Sequence, residues 1–194
     1  MSKAILCMAA VLLTAACAPT RPVHYYTLAP VMPPAYQVNP SGPSVLVGLI
    51  ATPESLQDSR IRYRAGANET GSYEYHRWEE RPGAIVRLSL VRALRATGKY
   101  RRVMEESSSA VGDYLLRGKL YEFSEADSPA VQTVISLHLE LVDEKTGRTV
   151  WDHAFEHEEP AGGKEMADVV ASMERNLRQV TAEAAAEIGR GAGL

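Results

Sequence analysis

The sequence holds little cysteine, little phenylalanine and no concentrated positive charge. Its two cysteines, Cys7 and Cys17, both fall in the first 17 of 194 residues, so no disulfide framework can staple the body of the chain. Acidic residues number 24 against 21 basic, a formal charge of −3, and no Lys/Arg block exceeds the pair Arg101-Arg102. That excludes the basic surface a nucleic-acid partner needs. Beyond residue 16 no apolar run is long enough to cross a bilayer, so no spanning helix is expected there. At 194 residues, 45% hydrophobic and 23% charged, the chain has room for one globular domain and none for separate cofactor and substrate domains.

Catalytic motifs are lacking as well. Gly66 and Gly71 have the spacing of a phosphate loop, but Ser72 stands where its lysine belongs and a strand pattern follows. Gly189, Gly191 and Gly193 imitate a dinucleotide fingerprint only after a helix pattern, the wrong side for one. His153 and His157, beside Asp152, Glu156, Glu158 and Glu159, lie in a predicted strand. There, residues four apart are ~13 Å from each other and cannot share an ion, which leaves a solvated acidic edge. His24, His76 and His138 are isolated in the sequence, and no Ser sits in a nucleophile elbow. No catalytic residue, metal or cofactor is assigned, and an enzyme assembled from distant residues is the weakest reading.

What is present begins at the N-terminus. Lys3, the apolar run Ala4 to Leu13, and Ala15-Ala16 ahead of Cys17 give the three regions of a secretory signal, with residues 1–16 removed. Leu13-Thr14-Ala15-Ala16-Cys17 resembles a bacterial lipobox, in which the cysteine becomes a lipidated N-terminus. Thr14 stands where that pattern prefers leucine. Two or three acyl chains would give stable attachment, where one gives only marginal binding. Residues 17–43 hold seven of the eleven prolines, which makes this stretch an extended tether and loop. Within it His24-Tyr25-Tyr26-Thr27-Leu28 reads as a first edge strand. The tether from Cys17 then spans only roughly 20 Å.

Residues 44–194 alternate strand and helix patterns. Strands are predicted at Val45 to Ile50, Ile61 to Arg64, Ser72 to Glu79, Tyr100 to Met104, Asp113 to Ser124, Val131 to Asp143 and Thr149 to Glu156. A helix opens at Arg81-Pro82-Gly83 and stops at Gly98, with Ile85, Leu88, Val91 and Leu94 near one face. A second, from about Lys164 to Ile188, repeats Met166, Val169, Met173, Leu177, Val180, Ala184 and Ile188 at spacings of three and four. Two helices and about seven strands make a single α/β domain with a mixed sheet. Tyr25, Tyr26, Tyr63, Tyr73, Tyr75 and Trp78 share the first half with Arg60, Arg62, Arg64, Arg77 and Arg81. Aromatics and arginine dominate interface energetics, so Arg60, Arg64 and Trp78 are the candidate partner-binding residues. Ordinary packing of sheet faces explains the same residues equally well.

Several segments in order carry a resemblance: Cys17, Tyr25-Tyr26-Thr27-Leu28, Val47-Gly48, Pro53 through Ile61, Arg77-Trp78-Glu79-Glu80, and Ala93 through Gly98. Together they resemble the ABC-type transport auxiliary lipoproteins of the paraquat-inducible protein C type. That family commonly has Pro-x-x-Leu-Asp-Arg, which Gln57 and Ser59 interrupt here. The resemblance implies an anticodon-binding-domain-like α/β fold, no catalytic activity and no cofactor. It further implies a lipid anchor at Cys17 and a place in an envelope system moving lipids or hydrophobic compounds. The implied partners are a mammalian-cell-entry (MCE) domain protein and an inner-membrane transporter component, with no nucleic acid and with self-association left open. Ala18 after the cysteine, rather than Asp, points to the outer membrane, with the inner membrane as the alternative. A stand-alone periplasmic lipoprotein that binds a hydrophobic ligand is the competing reading.

Overall fold

The computed structural model describes residues 21–28, 36–107, 109–127, 129–191 and 193. The signal segment and Cys17 lie outside them. Eight strands form one mixed sheet: β1 His24–Tyr26, β2 Ser44–Ala51, β3 Arg60–Ala65, β4 Glu69–Trp78, β5 Arg102–Glu105, β6 Tyr114–Ala126, β7 Gln132–Asp143 and β8 Thr149–Pro160. Helix α1 spans Pro82–Ala96 and α2 spans Met166–Gly191. A single 3₁₀ turn, Glu54–Leu56, links β2 to β3.

β6 is the spine. Along one edge it pairs antiparallel with β7 over its whole length, and β7 pairs with β8. Its other edge is shared, with the first half parallel to β2 and the residues Ser124 to Ala126 parallel to β3. β2 continues to β5, and β3 continues through β4 to β1. The sheet therefore has two wings on that side. Gly118 on β6 permits a close approach of β7, because a Cβ there would run into the His138 carbonyl oxygen and come within 2.6 Å of Leu139 Cδ2. The β7–β8 turn closes with Asp143 accepting from the Thr146 amide at 2.7 Å, while Gly147 takes φ 69°, a conformation that costs glycine no steric strain.

Both helices lie on one face. There Val45, Val47, Leu116, Leu120, Phe123 and the alternate β7 residues Ile135, Leu137, Leu139 and Leu141 meet Val86, Leu90, Leu94, Met173, Leu177, Val180, Ala184 and Ile188. Leu88, expected on the core stripe of α1, is only half-buried, and Val86 and Leu90 take that place. A buried polar knot pins α2 to the strands. Ser172 Oγ donates to the Glu159 carbonyl at 2.7 Å, and Asn176 Nδ2 donates to the Thr133 carbonyl at 2.9 Å. This knot carries β8 out to Pro160, four residues past the apolar alternation that ends at Glu156.

Candidate interaction surface

Side chains alternate across a strand, so the residues between those buried under the helices point to the opposite face, which neither helix covers. Lys119 and His138 are register neighbours there, as are Arg117 and Glu140. Arg117 Nε lies 2.7 Å from Glu140 Oε1, and His138 Nε2 lies 3.4 Å from Asp152 Oδ2. Arg64 Nη1 sits 3.5 Å from Glu122 Oε2. The register of β6 slips between Leu120 and Glu122. Tyr121, two residues on from Lys119 and on the same face, is 53% exposed, with Lys119 Nζ 5.0 Å from its ring centroid. On β2 a second irregularity, between Val47 and Ile50, leaves Leu49 76% exposed. Bulges re-aim side chains at functional surfaces, and here the one in β2 turns Leu49 away from the covered face that Val47 and Ile50 share.

Electrostatics divide this surface. The Arg117 guanidinium holds the Glu140 carboxyl below its usual range, and Arg60 does the same for Asp58. The basic residues Arg62 and Arg64 lie on β3, and Asp152, Glu156 and Glu158 lie on β8 at the far edge of the sheet.

The candidate residues separate. Arg60 is exposed but folds back on its own loop, with Nη2 2.5 Å and Nε 2.9 Å from Asp58 Oδ2. Arg64 stands on the same strand with its side chain 34% exposed. Trp78 is not a surface residue. It is 1% exposed, and its indole packs edge-on against Phe123 at 5.7 Å. The end of β4 turns inward beneath the sheet wing, so an aromatic placed beside arginines in sequence belongs to the core. Cys17 lies outside the described residues. Leu49 escaped the sequence reading because a bulge breaks the period-2 alternation of β2, whereas Lys119 and Tyr121 keep the alternation of β6 and belong to no motif that singles them out.

His153 and His157 are not simply solvated. They face α2, with His157 Nε2 2.6 Å from Glu183 Oε2 and His153 Nδ1 3.8 Å from Glu187 Oε2. Among the described residues no cluster of His, Cys, Asp and Glu could hold a metal ion. No helix among them is long and apolar enough to cross a membrane.

On the helix side, beyond the helices, lies a cluster not visible in the sequence. The His24 and His76 rings stack at 5.4 Å, Tyr26 Oη lies 2.9 Å from His76 Nδ1, and Tyr73 Oη donates to Glu125 Oε2 at 2.8 Å. Burial pushes the Glu125 carboxyl up and pushes the His76 imidazole down.

The model of the ABC-type transport auxiliary lipoprotein component family matches residues 26–185. The chain belongs to that family. Protein XCC0632 from Xanthomonas campestris shares the fold with a TM-score of 0.77 and 23% identity, over 88% of this chain and 97% of its own. A second solved structure, of an uncharacterised protein, has a TM-score of 0.68 at 19% identity over 87% of this chain and 99% of that one. No curated protein matches. The family assignment makes this a transport auxiliary lipoprotein component with a single mixed-sheet domain.

Proposed function

We propose that this family member is a non-catalytic subunit of an MCE/ABC-type envelope system that moves lipids or hydrophobic compounds between inner and outer membrane. Cys17 carries its lipid anchor, and Ala18 directs it to the outer membrane. The observation supporting the docking role is the helix-free sheet face, where Leu49 and Tyr121, the latter beneath the Lys119 ammonium, are exposed on the side that carries Arg64. Exposed aromatic and arginine side chains on a firm sheet suit a protein partner. Arg60 flanks this face at the start of β3.

Affinity purification from detergent-solubilised envelopes tests the assignment. An MCE-domain protein and an inner-membrane component should co-purify with the native chain. Arg64→Glu combined with Tyr121→Ala should abolish their recovery with an unchanged melting midpoint. Arg60→Glu should weaken recovery less, because Arg60 is already committed to Asp58. Full recovery with the double variant would move the docking surface elsewhere. The anchor is tested by metabolic labelling with a fatty acid, which should mark the native chain and not Cys17→Ser; equal labelling would refute it.

One observation favours the stand-alone binder instead. Between α1 and α2 runs an open groove of about 670 Å³ lined by Leu28, Ala93, Leu177, Ala182, Ala185 and Ala186. Its size and apolar walls fall within the range of ligand sites. Recovery of the chain without protein partners but with bound lipid would select this reading.

A further inference from the structure

The edge of β6 that two strands share is not continuous. β2 leaves it at the pair Ala51–Lys119, and β3 joins it at Arg62–Ser124. Leu120 to Phe123 therefore have no strand paired to them on that edge, and the register slip of β6 falls within the same stretch. The 3₁₀ turn Glu54–Leu56 crosses here on its way from β2 to β3. Beside it the open face holds a pocket of about 300 Å³. Its polar walls are Arg62 and Arg64, the hydroxyl residues Ser55, Thr70, Tyr121 and Ser124, and one carboxylate residue, Glu122.

Arg62 is held in place but not neutralised. Its Nη1 donates to Ser72 Oγ at 2.8 Å and its Nη2 to Thr70 Oγ1 at 3.4 Å, and among the described residues it makes no ion pair. A guanidinium has five N–H donors in a rigid fork, so two hydroxyls fix its position and leave most of the fork unused. Asp58 feels the Arg62 charge, but its carboxylate is committed to Arg60, whose Nε lies 2.9 Å away. Arg64 Nη1 reaches Glu122 Oε2 only at 3.5 Å, beyond the usual hydrogen-bond range. The other oxygen of Glu122 accepts from Ser124 Oγ at 2.8 Å. Further positive charge surrounds the pocket. Lys119 Nζ stands 5.0 Å from the Tyr121 ring centroid, and Arg77 is the register partner of Arg60 on β4. The buried Nε of Arg77 has no acceptor among the described residues.

We propose that this gap in the sheet is an oxyanion site that takes a phosphate group, with Arg62 and Arg64 as its two forks and the hydroxyls of Ser55, Thr70 and Tyr121 around them. Arg62 and Arg64 stand two residues apart on one face of β3, ~7 Å from each other, so their long side chains can close on one anion from two sides. A tetrahedral phosphate offers oxygens in both directions. A flat carboxylate presents both of its oxygens to a single fork and leaves the second unmatched. On binding, the anion replaces the long Arg64–Glu122 contact, while Glu122 keeps its bond from Ser124. The pocket is larger than a bare phosphate, which leaves room for an ester substituent. Phospholipid headgroups and free phosphate share this chemistry. The site does not depend on the partner reading above: Arg64 and Tyr121 serve both, and Arg62 serves only this one.

Calorimetric titration of the purified full chain in a non-ionic, phosphate-free detergent tests the site. The probes are inorganic phosphate and glycerophosphoglycerol, the water-soluble headgroup of phosphatidylglycerol, with acetate as competitor at constant ionic strength. At least one phosphate probe should bind saturably, and acetate should not displace it. Arg62→Gln should weaken that binding about tenfold or more, the loss expected when a charge-assisted hydrogen-bonding fork is removed. Arg62→Lys, which keeps the charge and loses the fork, should fall between the two. Where the melting midpoint shows that Arg62→Gln disturbs the fold, Arg64→Gln should give the same loss. Tighter binding of glycerophosphoglycerol assigns the site to a lipid headgroup; equal or tighter binding of inorganic phosphate assigns it to the free anion. Absence of saturable binding by both probes overturns the proposal, as does unchanged affinity in a folded variant or full displacement by acetate. Co-purification reads the protein partner separately, so failure of one leaves the other standing.

Discussion

Replacing Trp78 with alanine separates a core residue from a contact residue. The side chain is 1% exposed and meets Phe123 edge-to-face at 74°. A large aromatic buries roughly 150–250 Å². At about 25 cal/mol/Å² that is worth roughly 4–6 kcal/mol as an upper bound. The edge-on ring pair adds about 0.5–1.5 kcal/mol. Against this, among the described residues the buried indole Nε1 has no hydrogen-bond partner, which costs about 1–3 kcal/mol. The net loss expected for Trp78→Ala is ~3–5 kcal/mol, in line with other aromatic-to-alanine changes in cores. For a domain of this size, that lowers the melting midpoint by roughly 6–20 °C. Trp78→Phe keeps most of the ring and removes the stranded N–H, so its cost should stay within about 2 kcal/mol. Urea denaturation of both variants, with the slope checked for constancy, measures the difference. A Trp78→Ala midpoint equal to the native one would refute the burial argument and return Trp78 to the surface.

Leu177→Ala on α2 empties a site that is 2% exposed and should cost ~2–5 kcal/mol; thermal melting checks it, and an unchanged midpoint would mean that the helix faces another way. Glu125 carries a carboxyl pushed up by burial, with nearby Asp127 adding to the shift and the Tyr73 hydrogen bond opposing it. Its stabilising effect is therefore present below the unfolded value near ~4.3 and is lost as pH rises through the folded one. Glu125→Gln, which still accepts from Tyr73, should raise the urea midpoint at neutral pH and leave it nearly unchanged around pH 4; the same shift at both pH values would contradict this account.

The fold was legible wherever one periodicity held over many residues. β7 alternates from Thr133 to Leu141 and α2 repeats from Val169 to Ile188, and both are buried as patterned. The pattern failed where tertiary contacts decide. A bulge in β2 turns Leu49 outward, and the slip in β6 puts Phe123 rather than Glu122 under the helices, since a register slip of one residue reverses which face a side chain takes. Trp78 misled because amphipathic aromatics suit interfaces and cores alike. His24 and His76 lie 52 positions apart in sequence and become neighbours only because β1 crosses to the far side of β4. No local signal encodes that pairing.

Placing both helices on one face has a consequence for how a partner can be recognised. The covered face commits its apolar residues to α1 and α2, so the sheet itself offers contact energy only through its open face and its edges. Most charges on the open face are already engaged within the sheet: Arg117 with Glu140, Arg64 with Glu122, His138 with Asp152. Exposed pairs of this kind contribute about 0–1 kcal/mol each, and they keep an uncovered sheet from joining others indiscriminately. Tyr121 and Leu49 are different, since each leaves apolar surface exposed. Affinity for a partner should therefore follow these two apolar anchors, with the surrounding arginines and carboxylates setting orientation. Salt should then slow association far more than it speeds dissociation, which distinguishes this surface from one whose affinity depends on charge alone.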